Sequence, residues 1–170
     1  SALATLPSCT LHGAATHDPF PGTDAAGLEL RATIEVDPAA GRVRVDLRDN
    51  PDNLRNGLNL TEATATAAAL AGVLSGLPHP LPSNAGTFRR FEVQLREGCA
   101  VGIPRHPFSC SSGTTNLADR VVGLVQAAFY VTVGLVVGVH FASGPLGILV
   151  LFCFAAVISI FADLPLPSEL

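Results

Sequence analysis

The fold class predicted for this chain is α+β: an antiparallel sheet with packed helices, followed by an apolar helical tail. Strict apolar/polar alternation recurs over residues 28–36, 42–48 and 90–96, the period of half-buried strands. Runs of helix formers occupy 60–75 and 117–129 without alternating regularly with those strands. Pro, Gly, Asn and Asp gather at the joints, where the chain must turn.

Taken in order, the first 27 residues are rich in Pro, Gly, Thr and Ala and show no sustained period, so no element is predicted there. In the first strand Leu28, Leu30, Ala32, Ile34 and Val36 share one face. Asp37-Pro38-Ala39-Ala40-Gly41 is a turn, with Pro presetting φ and Gly free to take the left-handed position, and it makes a hairpin with 42–48. Val43, Val45 and Leu47 then face the core, leaving Asp46 and Arg48 together on the opposite face.

The segment that follows is unusually polar. Residues 43–63 hold three of the eight aspartates and four asparagines, more than a single turn requires. Asn59, three residues before Glu62, is the expected N-cap of the first helix, with Glu62 reaching back. That helix is built of Ala, Thr and Gly, which permits close packing, and Gly76 and Pro78 end it. A Pro/Asn/Gly loop containing Asn84 leads into the third strand at 90–96. Residues 99–103 are expected to pair as a short fourth strand, and a hydroxyl-rich loop ends in a second helix start at Asn116 and Asp119.

Composition narrows the function classes. A net charge of −4, ten arginines, no lysine and a single adjacent basic pair, Arg89-Arg90, argue against a nucleic-acid surface. Without lysine there is no phosphate loop of the G-x-x-x-x-G-K-[ST] kind. Four cysteines spread singly, with no C-x-x-C pair, favour a reduced, cytoplasmic protein. From Val121 to Ala162 there is no charged residue, and 121–139 and 146–161 each approach the ~20 residues that cross a bilayer. The membrane is therefore the alternative location, through the 130–161 tail, although no basic flank or tryptophan belt accompanies it.

Read together, His17-Asp18-Pro19-Phe20-Pro21-Gly22, Val45-Asp46-Leu47-Arg48-Asp49-Asn50, Gly57-Leu58-Asn59-Leu60, Asn84-Ala85-Gly86-Thr87-Phe88-Arg89 and Gly102-Ile103-Pro104-Arg105-His106-Pro107 resemble the hydantoinase B/oxoprolinase family, in order and spacing. The segment 111–120, ending Thr-Thr-Asn-Leu-Ala-Asp-Arg, extends the likeness, which covers roughly residues 11–129. The resemblance implies the B-type subunit of an ATP-dependent cyclic-amide hydrolase that opens rings such as hydantoin or 5-oxoproline. It further implies a partner A-type subunit that uses ATP to activate the ring carbonyl, while the B-type part hosts attack on the activated intermediate.

Chains of that family are several times longer, so residues 1–129 read as an interior part of such a domain. Residues 130–170 read as a tail of different origin: a frameshift, a truncation or a membrane hairpin. An inert module or pseudogene product carrying a membrane-associating tail is the competing reading. A divalent metal is compatible with the family, its ligands falling outside this stretch.

The candidate catalytic residues are Asp46, Arg48 and His106. Asp46 and Arg48 can orient a polar ring through accepted and forked donated hydrogen bonds, or can simply pair with each other. His106 offers a proton shuttle near neutral pH. Candidate substrate-binding residues are Asn59, Asn84, Arg105 and Asn116, each also explicable as a cap or turn residue or a surface charge. His12, His17 and Asp18 suit a metal by type but not by number or spacing, so no metal site is assigned. Cys110 and Cys99 are possible nucleophiles only if a neighbour lowers their pKa.

Overall fold

The computed structural model describes the backbone of residues 2–77, 80–82 and 84–142, with side chains as far as Tyr130. The chain divides into two compact units, Ser1–Thr132 and Val133–Leu170. Of the expected membrane hairpin, the segment 121–139 falls within the helix Gly113–Ala142, while 146–161 and the rest of the apolar tail lie outside the described residues. Among the described residues no helix is long and apolar enough to cross a membrane.

A short 3-10 turn, Ala2–Thr5, precedes four strands: β1 (Cys9–His17), β2 (Leu28–Asp37), β3 (Arg42–Asp46) and β4 (Phe91–Gln94). Three helices complete the fold, α1 (Glu62–Gly76), the one-turn α2 (Ala85–Phe88) and α3 (Gly113–Ala142). The α+β class is as the sequence predicts. The strands form one sheet in the order β1-β2-β3-β4.

The expectation of a purely antiparallel sheet needs correcting. β1–β2 and β2–β3 are antiparallel, but β4 runs parallel to β3, with Val43 opposite Phe91 and Asp46 opposite Gln94. The reason is topological: a helix and a long loop separate the two strands, and such a crossover returns the chain in the direction it left. Period-two alternation carries no information on strand direction. The predicted strand at 99–103 is reduced to two isolated bridges, Asp52 with Cys99 and Glu97 with Ile103.

β2 shows why the alternation reads so clearly. Its Leu30, Ile34 and Val36 are fully or almost fully buried, while Glu29, Arg31 and Glu35 are exposed. Val43, Val45 and Leu47 continue the same buried face, and Ala65, Ala69 and Val73 of α1 with Val121, Val125 and Phe129 of α3 complete the core. The small residues of α1 allow the close approach expected of them. A Cβ on Gly72 would stand 2.7 Å from Val125 Cβ, closer than packed side chains come, so alanine there would push the helices apart.

Helix boundaries differ from expectation at both starts. Thr61, not Asn59, caps α1: its Oγ1 accepts from the Thr64 N–H at 3.2 Å, while Asn59 is wholly buried and turned elsewhere. α3 begins at Gly113 rather than at Asn116, and Gly113 sits where a Cβ would collide with the Asn59 backbone carbonyl. Asn116 is thus in the first turn of the helix.

Candidate functional site: a polar sheet face beside a bound loop corner

Strand register lays side chains in rows across the face turned away from the helices. One row is Thr10, Glu35, Arg44 and Glu92, in which Arg44 lies between two carboxylates, 2.7 Å from Glu35 and 3.5 Å from Glu92. The next is His12, Thr33, Asp46 and Gln94, one residue from each strand. His12 Nδ1 lies 3.0 Å from Thr33 Oγ1. A concavity of about 290 Å3 opens over this row, bordered by His12, Arg31, Thr33, Asp46 and Asp49 among others.

Asp46 and Arg48 meet as a forked pair. Arg48 Nε donates to Asp46 Oδ1 at 2.9 Å and Nη2 to Oδ2 at 2.7 Å, and the Arg48 backbone N–H adds a third bond to Oδ1 at 2.9 Å. The Arg48 hydrogen bond holds the Asp46 carboxyl below its usual range, burial opposing it, so Asp46 is a carboxylate at neutral pH. The Arg48 side chain remains half-exposed. An anionic acceptor beside a guanidinium whose planar edge is already engaged can position a ring N–H, and it has no proton to give.

Beside this face stands the loop corner that follows β3, where the other polar residues do a different job. Past Asp46 the backbone leaves β2, and Asn50 fills the position it vacates. Asn50 Oδ1 accepts from Arg31 N–H at 2.9 Å, and Nδ2 donates to the carbonyls of Arg31 at 2.7 Å and Leu47 at 2.8 Å, so a side-chain amide completes the ladder. Asn59 does the same between loops: its amide bonds both the N–H and carbonyl of Leu54 and the carbonyl of Ser109. Asn53 ties the corner to Cys99 and to the Arg105 N–H. Arg96, two residues past β4, spans it, donating to the carbonyls of Arg48 and Asn50 and to Asp52.

The remaining candidates are spread over the surface. Arg105 pairs with Glu97 at 2.6 Å and borders a separate concavity of about 320 Å3 with Asp52, Asn53 and Arg96. His106 is exposed and has no hydrogen-bond partner among the described residues. Asn84 caps α2, accepting from the Thr87 N–H at 3.0 Å, and Asn116 is exposed, with only the Thr115 hydroxyl donating to it. The structure therefore brings Asp46 and Arg48 together and collects Asn59 and Arg105 around the corner, but it does not join the two sets in one cavity.

Two contributors were missed by sequence. Thr33 stands beside Asp46 through the β2–β3 register, and His12 lies one strand further through the β1–β2 register, in a stretch whose sequence shows no sustained period. Among the described residues no group of three or more His, Cys, Asp and Glu side chains could hold a metal ion. His17 is occupied with the Asp18 carbonyl at 2.7 Å, and Asp18 with Arg120 at 3.1 Å. Burial raises the pKa of Cys99 and of Cys110, so neither thiol is activated as a nucleophile.

An α+β layer that buries one sheet face under helices and leaves a row of ionisable and hydroxyl groups on the other defines a scaffold module with a polar face. A family model described as hydantoinase B/oxoprolinase matches residues 1–143, and the chain belongs to that family. No curated protein matches it. Among solved structures it is similar to the ATP-dependent caprolactamase from Pseudomonas jessenii, with a TM-score of 0.63 and 18% identity over 76% of this chain. That likeness shows the shared fold, and the chain spans 22% of the length of that relative.

Proposed function

We propose that this chain is part of the B-type subunit of an ATP-dependent cyclic-amide hydrolase, acting on a small ring such as hydantoin or 5-oxoproline. An A-type partner uses ATP to activate the ring carbonyl, and the B-type part holds the ring while the activated carbon is attacked. Membership of the hydantoinase B/oxoprolinase family supports this reading, as does the likeness to an ATP-dependent caprolactamase.

The observation that carries the site assignment is the Asp46 carboxylate at the border of a concavity of about 290 Å3, a volume suited to a small ring. Arg48 fixes the carboxylate and keeps it ionised. A ring N–H donates to Asp46, with Thr33 next along the row and His12, held by Thr33, one strand further. The role of the Asn-rich corner is to hold this strand end still, because a misplaced acceptor loses the orientation on which attack depends.

The test is Asp46→Asn in a full-length family enzyme with its A-type partner, measuring ring opening and ADP release together. Asparagine keeps the size but replaces an anionic acceptor with a neutral amide. Ring opening should fall at least about tenfold, the equivalent of ~1.4 kcal/mol of transition-state stabilisation. Turnover equal to the parent enzyme would place the ring elsewhere.

A further inference from the structure

β3 ends at Asp46, yet residues 47–50 are still tied on both sides, by side chains where strands would otherwise serve. The backbone seam with β4 runs as far as Leu47, whose N–H donates to the Gln94 carbonyl at 3.0 Å. Beyond it Arg96 takes over: Nε donates to the Arg48 carbonyl at 3.1 Å and Nη2 to the Asn50 carbonyl at 2.7 Å. Toward β2 the Asn50 amide completes the ladder with Arg31, so the two side chains grip the same short segment from opposite sides. Arg96 is itself anchored. Its Nη1 donates to Asp52 at 2.7 Å, and its own carbonyl accepts from the Ile103 N–H at 3.0 Å.

We propose that Arg96 is a positioning residue for the Asp46 carboxylate, acting through the main chain of Arg48. Its effect on turnover rests on the reading of Asp46 as the group that holds the substrate ring. Asp46 takes three bonds from Arg48, one of them from the backbone N–H, so the placement of the Arg48 main chain decides how the carboxylate is turned. Arg96 holds the carbonyl of that same residue, while its Nε, Nη1 and Nη2 are all engaged away from Asp46. The geometry calls for arginine. Three donors leave one rigid plane toward three separate acceptors, which an ammonium on a flexible stem cannot match.

The test is a carboxyl-carbon NMR titration of the whole chain. In the wild type Asp46 should titrate below the usual carboxylate range, because Arg48 hydrogen-bonds the ionised form. The other charged or titratable groups around it are His12 on β1, Arg31 on β2, Arg44 with its Glu35 and Glu92 partners, and Asp49 after β3. None of these is substituted. Arg96→Lys keeps the charge beside Asp52 but loses the fork, and should move the Asp46 titration up toward the unfolded value, ~3.9. Asp52→Asn leaves both carbonyl bonds in place and should titrate as the wild type. In the unsubstituted chain the Arg96 Nε proton should exchange slowly with water, a measurement that needs no variant to fold. The proposal is overturned by an Asp46 titration that Arg96→Lys leaves unmoved, by one that Asp52→Asn moves as far, or by a fast-exchanging Nε proton. In a full-length family enzyme with its A-type partner, Arg96→Lys should slow ring opening about tenfold. Ring opening at the parent rate, in an enzyme that Asp46→Asn impairs, also overturns it. Full turnover of Asp46→Asn removes the ring-holding reading instead, and the titration, which needs no substrate, then decides the role of Arg96 by itself.

Discussion

The loop corner around Asn50, Asn53 and Asn59 and the sheet face around Asp46 use the same kinds of side chain for opposite ends. In the corner, Asn50 and Asn59 are buried and Asn53 partly so, and the amide bonds go to backbone groups that would otherwise be stranded. On the face, polar groups pair with other side chains and remain open to solvent. A buried polar group must be satisfied within the protein, whereas an exposed one can exchange its partner for a ligand. The difference locates the site on the face and the support in the corner.

Breaking the corner should have the largest effect. Asn59→Ala removes four side-chain hydrogen bonds, three of them to backbone groups of Leu54 and Ser109 that are left unpaired, so unfolding free energy should drop by about 3 kcal/mol. Asn50→Ala strips the ladder completion from Arg31 and should lower it by about 2 kcal/mol. Denaturant titration with an unchanged m-value would verify both. Losses below about 0.5 kcal/mol would mean that solvent replaces the amides, and the contrast between regions would fail.

The face should respond the other way. Asp46→Asn should alter stability by less than about 1 kcal/mol, since the ion pair is partly exposed and screened, while turnover falls as described above. The pH dependence sharpens the point. Because its folded pKa is lowered, Asp46 contributes stability that is fully present above the unfolded carboxylate value, ~3.9, and is lost as the pH falls through the folded value. Acid unfolding of Asp46→Asn should therefore be flatter than that of the wild type below about pH 4. Parallel acid limbs would show that the pair adds nothing to folding.

Much of this fold was legible because burial and period coincide. β2 and β3 place branched or large apolar residues at every second position, and α1 is a long run of helix formers. β1 alternates as well, but its inner residues are Cys9, Leu11, Gly13 and Ala15, too small to contrast with Thr10, His12, Ala14 and Thr16. Strand direction was not legible at all, since it depends on the crossover between β3 and β4. The spacing of Asn59 and Glu62 fits a cap, yet Thr61 takes that role because Asn59 is committed to Leu54 and Ser109. Of the site, the Asp46–Arg48 pair followed directly from i, i+2 spacing on a strand. Thr33 beside it and His12 one strand further required a register that only pairing supplies.

The parallel seam between β3 and β4 also sets an order of events in time. β1, β2 and β3 are joined by short connections, so their pairing closes small loops, whereas Val43 must wait for Phe91. Closing the longer loop is entropically harder and contacts of that separation form late. Pulse-labelled hydrogen exchange should find amides of the three-stranded meander protected before those of β4. In that interval β3 is itself an open edge, and Arg42 and Arg44 along it act as a guard: their charge deters a foreign strand until Glu92 arrives to share Arg44.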